Sequence, residues 1–110
     1  MIPEEFNKIV VKRVEQSADV LIAKGHQHSR NNDRLHNFKS IAVHKKTTPE
    51  NVLMFLVSKQ WTNLNDCIDD KEHNVGVKIT PGLTDELFND IHNYMYLLEG
   101  LLKERYGNSI

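Results

Sequence analysis

Apolar residues recur along the chain at three- and four-residue intervals, in four separate runs. In the first, Phe6, Ile9, Val10, Val14, Ala18, Leu21 and Ile22 predict a helix over about 3–24. Pro3 suits its first turn, Glu4 and Glu5 complement the positive end of its dipole, and Gly25 reads as a stop. Val11 and Val20 widen the apolar arc, which predicts cover on more than one side. The stretch from His26 to Asn32 holds no hydrophobic residue and reads as a loop. Asp33 then caps a short helix over 33–45, carrying Leu35, Phe38, Ile41 and Ala42 and ending in His44-Lys45-Lys46.

Thr47-Thr48-Pro49-Glu50 is a strong helix start, with a hydroxyl cap, a proline and an acid in order. The third helix it opens runs over about 49–68, with Leu53, Leu56, Val57, Trp61, Leu64 and Ile68 in its stripe. A linker follows from Asp69 to Gly82, in which Val75-Gly76-Val77-Lys78-Ile79 alternates but is too short to make a sheet. Thr84 caps the last helix, over 84–106, whose apolar face carries Leu87, Ile91, Tyr94, Leu98 and Leu101. Gly107 ends it. There is no internal repeat, coiled-coil run or low-complexity segment. The pattern predicts a single domain over 1–110, an all-α bundle of about four helices.

Composition narrows the classes of function. Hydrophobic residues are 39% of 110, enough for a modest core. A second protomer would add burial, so a homo-oligomer is expected. Fourteen basic and fifteen acidic residues give a net charge of −1, without the basic excess of a nucleic-acid surface. No helix collects the basic residues, so no nucleic-acid partner is expected. No stretch approaches the ~20 apolar residues of a membrane span, and Met1-Ile2-Pro3-Glu4-Glu5 lacks a signal-peptide pattern. Cys67 is the single cysteine, so no intrachain disulfide can form. A cytoplasmic protein without a membrane partner is the expectation.

Candidate chemistry lies where polar residues break the apolar pattern. At ~100° per residue, Asp85, Asn89, His92, Tyr96 and Lys103 point away from the apolar face of the last helix and read as solvated surface. Glu86, Asp90 and Asn93 form a stripe on its border. Two carboxylates one turn apart can share a divalent cation; the plainer alternative is a polar shoulder. In the third helix Gln60 falls inside the apolar stripe, where a buried amide must be hydrogen-bonded or cost a few kcal/mol. The plainer alternative is a partly exposed Gln60 near an end of the core. Lys59, Asn63 and Asp66 border the same stripe, facing Asp90 if the helices pair. Phe55 stands on the polar side, as an oligomer contact or a partly covered surface residue. Cys67 sits on the apolar side and reads as core. Among the six histidines no zinc spacing occurs, and neither a phosphate-binding loop nor a nucleophile elbow is present.

Four pieces together carry a resemblance: Lys24-Gly25-His26-Gln27-His28-Ser29, Leu35-His36-Asn37-Phe38-Lys39, Lys59, and the run from Glu86 to Tyr94. They resemble phage and prophage helical domains that look related to the all-α, MazG-like nucleotide pyrophosphohydrolases. The likeness spans Leu21 to Leu102 and rests on short motifs. It implies an enzyme that uses Mg²⁺ to release pyrophosphate from a small nucleoside triphosphate. Glu86 and Asp90 would be the catalytic metal ligands, with Asp66 as the substitute third acid. Lys59 would contact phosphate, and His26, Asn37 and Tyr94 would line the nucleotide pocket. Asn93 and Gln60, singled out by their placement, join the substrate-binding candidates. Mg²⁺ fits this set because it takes oxygen ligands and neutralises charge on phosphate oxygens. Two departures stand out. The acidic E-E-x-x-E helix of the best-marked enzymes, with its later E-x-x-D, is absent. Gln27 and His28 occupy the positions of the family's aspartate and aromatic. They leave open the alternative of a non-catalytic, oligomeric phage or prophage interaction module.

Overall fold

The computed structural model describes residues 1–72 and 79–107, apart from the side chains of His26 and His28. It contains four helices: α1 (Pro3–His28), α2 (His36–Lys45), α3 (Pro49–Glu72) and α4 (Pro81–Tyr106). The all-α, four-helix architecture agrees with the sequence pattern, and no named strand occurs among the described residues. Residues 75–78 of the alternating segment lie outside the described residues. No helix among the described residues is long and apolar enough to cross a membrane.

Several helix boundaries depart from those the sequence pattern predicts. Gly25 does not end α1, which continues to His28, so His26 and His28 are helical rather than in a loop. The glycine instead allows a close approach, because a Cβ there would sit 3.1 Å from Arg34 Nε. The chain turns at Asn31 and Asn32, both left-handed at φ 53° and 59°, a conformation asparagine tolerates better than most residues. Asp33 serves this turn: its carboxylate accepts the Leu35 N–H at 2.9 Å and Lys39 Nζ at 2.7 Å. α2 therefore begins only at His36. α3 runs four residues past Ile68, through Asp69-Asp70-Lys71-Glu72, which contain no glycine or proline to stop it. α4 starts at Pro81, with Thr80 Oγ1 accepting the Leu83 N–H at 3.1 Å. Thr84 lies inside the helix, its hydroxyl bonded back to the Thr80 carbonyl at 3.0 Å.

α4 packs against α3 on one side and α1 on another, while α2 lies against α3. Glu50 pairs with Arg105 and Gln60 with Asp90, so α3 and α4 are antiparallel. Arg13 meets Asp85, and Leu21 packs on the cluster containing Leu97, so α1 runs parallel to α4. The central cluster joins Leu35, Leu53, Leu97 and Leu101. Leu53 is fully buried, and Cys67 is also buried, in the core as expected. The first half of α1 is not covered on several sides. Phe6, Ile9 and Val11 are each more than half exposed.

Leu53→Ala should cost about 2–5 kcal/mol, the usual penalty for removing a core leucine and leaving part of a cavity. Denaturant unfolding followed by circular dichroism measures it, with the slope unchanged.

Candidate functional site

The polar border of α4 is divided between three neighbours. Asp85 and Asn89, expected on the solvated face, are only partly exposed and are engaged by α1. Arg13 of α1 donates to Asp85 Oδ1 at 2.5 Å, to the Asp85 carbonyl at 3.2 Å and to Asn89 Oδ1 at 2.8 Å. Ser17, 1% exposed, adds a hydrogen bond to Asn89 at 2.9 Å. The Arg13 guanidinium also lies 5.9 Å from the centre of the Phe88 ring. The hydrogen bond from Arg13 holds the Asp85 carboxyl below its ordinary range. This cluster ties the middle of α1 to the start of α4.

One turn around α4, Asp90, Asn93 and Tyr94 enter a cleft of about 230 Å³ closed by Leu21 and Lys24 of α1, Arg34 and Asn37 before and within α2, and Leu56 of α3. Asn93 is buried at 7% exposure, and among the described residues its Oδ1 has no hydrogen-bond partner. A buried acceptor in that state costs roughly 1–3 kcal/mol. Burial pushes the Asp90 carboxyl up from its ordinary value, opposed by the charge of Lys24 and the hydrogen bond from Gln60. Burial, with Asp90 nearby, also raises the Tyr94 hydroxyl.

On the far side of Asp90 lies a second, shallower groove between α3 and α4, of about 550 Å³. Lys59, Gln60, Asn63, Asp66, Asp70 and Glu86 line it. Gln60 is half-buried and bonded at both ends. Its Nε2 donates to Asp90 Oδ2 at 2.9 Å, and its Oε1 accepts from Asn63 Nδ2 at 2.9 Å. The Gln60–Asp90 bond is thus the partition between cleft and groove.

The candidates from sequence sort accordingly. Asp90, Asn93, Tyr94 and Asn37 share the cleft; Glu86, Asp66, Lys59 and Gln60 share the groove. The His26 side chain lies outside the described residues. Among the described residues, no three His, Cys, Asp or Glu side chains converge as a metal-binding set. Glu86, Asp90 and Asp66 are accordingly split between the two spaces. Two cations were missed by the sequence reading. Lys24 lies within the expected first helix and in the motif that carries the resemblance, but as an exposed lysine it has no feature that singles it out before the cleft is seen. Arg34 comes into place through the asparagine turn, for which periodicity carries no signal.

The titrations give opposite pH signatures. Asp85 is depressed, so the stability it contributes is present above its unfolded pKa near 3.8 and is lost as pH falls through the folded value. Asp90 is raised, so it contributes a cost that is absent below about 3.8 and grows as pH rises through its folded value. Asp85→Asn should therefore destabilise at neutral pH and become silent in acid. The penalty of Asp90→Asn should be smaller at neutral pH than that of Asp85→Asn, because the variant no longer buries a charge. Chemical denaturation of both variants across the acid range checks this pair.

Comparison with protein-family models, with curated proteins and with solved structures finds no match for this chain.

Proposed function

We propose that the chain is a MazG-like nucleotide-binding protein that takes a small nucleotide into the cleft between α1, α2 and α4 and releases pyrophosphate with Mg²⁺. The observation that supports this reading best is Asn93, a buried acceptor without a partner among the described residues, in a cleft rimmed by two cations. Such a space suits a ligand that donates a hydrogen bond inward and carries negative charge outward. Lys24 and Arg34 supply the charge, Asn37 further polar contact, and Tyr94 an aromatic face. Perturbed carboxyl and phenol groups in one cleft are also what a binding site, rather than a packing surface, tends to gather.

A cleft of about 230 Å³ is on the scale of a nucleoside rather than a whole nucleoside triphosphate. Phosphates would extend past Lys24 and Arg34, or across the Gln60–Asp90 partition toward Lys59. Mg²⁺ is commonly held by one or two carboxylates together with substrate phosphates. Among the described residues Glu86 and Asp66 line the groove and Asp90 the cleft, so they do not form a three-acid set, and a cation would be held mainly by the phosphates with one of these carboxylates. Once bound it would neutralise charge developing on phosphate oxygens. The residues of the chain position the ligand: Asn93 and Asp90 accept its hydrogens, and the cations fix its anionic end. The alternative, a non-catalytic interaction module, is favoured by Phe55, which is 70% exposed beside an apolar groove formed with Ile41, Val52 and Leu56.

A panel of nucleoside triphosphates and deoxynucleoside triphosphates with Mg²⁺ decides between them, read by thermal shift and by pyrophosphate release. At least one nucleotide should raise the melting temperature by mass action. Lys24→Ala and Arg34→Ala should each weaken binding about tenfold to a hundredfold, as for a lost charge-assisted hydrogen bond. Asp90→Asn should abolish pyrophosphate release. If no nucleotide shifts the melting temperature and Asp90→Asn is silent, the interaction-module reading replaces this one.

A further inference from the structure

The cleft between α1, α2 and α4 changes character from floor to mouth. At its floor is Asn93, 7% exposed. The other buried residues of α4 are Leu87, Ile91, Leu97 and Leu101, so Asn93 is the polar member of an apolar set. Among the described residues its Oδ1 accepts no hydrogen bond. Asp90 brings a second acceptor group into the same space, with its Oδ2 already taking a hydrogen bond from Gln60. Leu21, Phe38, Leu56, Tyr94 and Leu97 form the walls. Lys24, exposed, and Arg34, half-buried, stand at the mouth. Arg34 is held there by a hydrogen bond from its Nη2 to the Leu21 carbonyl at 3.3 Å.

Apolar and aromatic walls around a polar floor suit a flat heteroaromatic ring with one edge on the floor. Which edge fits depends on what the floor offers. The amide oxygen and an ionised carboxylate both accept hydrogen bonds and donate none. An amino group on the ring carries two hydrogens, one for each acceptor. The ring N–H of uracil can serve one acceptor, but the carbonyls beside it then set oxygen against the other. We infer that the cleft selects nucleotides whose base carries an amino group, and that Asn93 is the specificity-determining residue. Cytosine, adenine and guanine carry that group; uracil, thymine and hypoxanthine do not. Such selection rests on the cleft taking a nucleotide, with the anionic end on Lys24 and Arg34. Stability points the same way. A buried acceptor without a partner destabilises the free protein, and leucine at this position would remove that cost. The bound amino group relieves it instead. A buried water would relieve it too, but water both donates and accepts and so gives no preference between an amino group and a carbonyl.

Calorimetric titration of the full chain with dCMP against dUMP, and with AMP against IMP, measures the selection without turnover. A monophosphate has no pyrophosphate to release, and each pair exchanges an amino group for a carbonyl at nearly constant size. The same pairs as triphosphates in metal-free buffer repeat the comparison. The amino member should bind about tenfold to a hundredfold more tightly, the usual cost of an acceptor left unpaired. Asn93→Leu should bring both ratios close to one and raise the melting temperature of the unliganded chain. Lys24→Ala should weaken all four nucleotides alike and leave the ratios unchanged. Should Asn93→Leu fail to fold, Asn93→Ala and the ratios on the unaltered chain still decide. Equal binding within both pairs overturns the inference and leaves the nucleotide reading standing. A preference that survives loss of the Asn93 amide overturns the role of Asn93. If no mono- or triphosphate binds, both readings fall.

Discussion

α4 is packed from two directions by two kinds of chemistry, and the rest of the molecule depends on that arrangement. Toward α3 it presents leucine and isoleucine, and the free energy is that of apolar burial. Toward α1 it presents Asp85 and Asn89, and the free energy is that of a half-buried guanidinium satisfied three times over. The second contact is directional where the first is not. Apolar burial alone would allow α1 to slide along α4, whereas Arg13 fits one turn and Ser17 the next. The position of Lys24 over Asp90, and so the cleft itself, follows from that register.

The same two-sidedness explains what could be read from the sequence and what could not. Period-3.6 patterns report burial against apolar neighbours, so the existence and type of all four helices were plain. A face partly covered through polar contacts looks fully solvated by the same rule, as Asp85 and Asn89 do. Gly25 reads as a terminator because glycine destabilises a helix interior. What outweighs that here is the space needed by Arg34, a tertiary fact with no local trace. Thr84 reads as the cap because acids follow it, but Thr80-Pro81 gives the earlier start. Trp61 and Ile68 fit the helical stripe yet are exposed, because a stripe broader than one neighbour can cover is indistinguishable in sequence from one that is fully covered.

The candidate site was half legible. Glu86, Asp90 and Asn93 stood out as a border stripe, and Gln60 as an amide in an apolar row; the 2.9 Å bond between Gln60 and Asp90 joins the two anomalies. Which acids share a space was not legible. Glu86 and Asp90 are one turn apart on the helix, but the helix border is the ridge between two concavities, and they fall on either side of it. Spacing along a helix fixes direction and not what a neighbouring helix places in between.

The contact between Arg13 and Asp85 spans 72 residues of sequence, and this has a consequence for how the chain reaches its structure. Closing a loop of that length costs conformational entropy before any contact returns it. The α3–α4 hairpin is local by comparison and its pairing can form early. During synthesis α1 is made before α2, α3 and α4, and its Arg13 has no polar partner until the turn that receives it has followed. Until then its row of exposed isoleucine, valine and phenylalanine has nothing to rest on. The helix made earliest of the four is thus the one whose anchoring contact lies farthest along the chain.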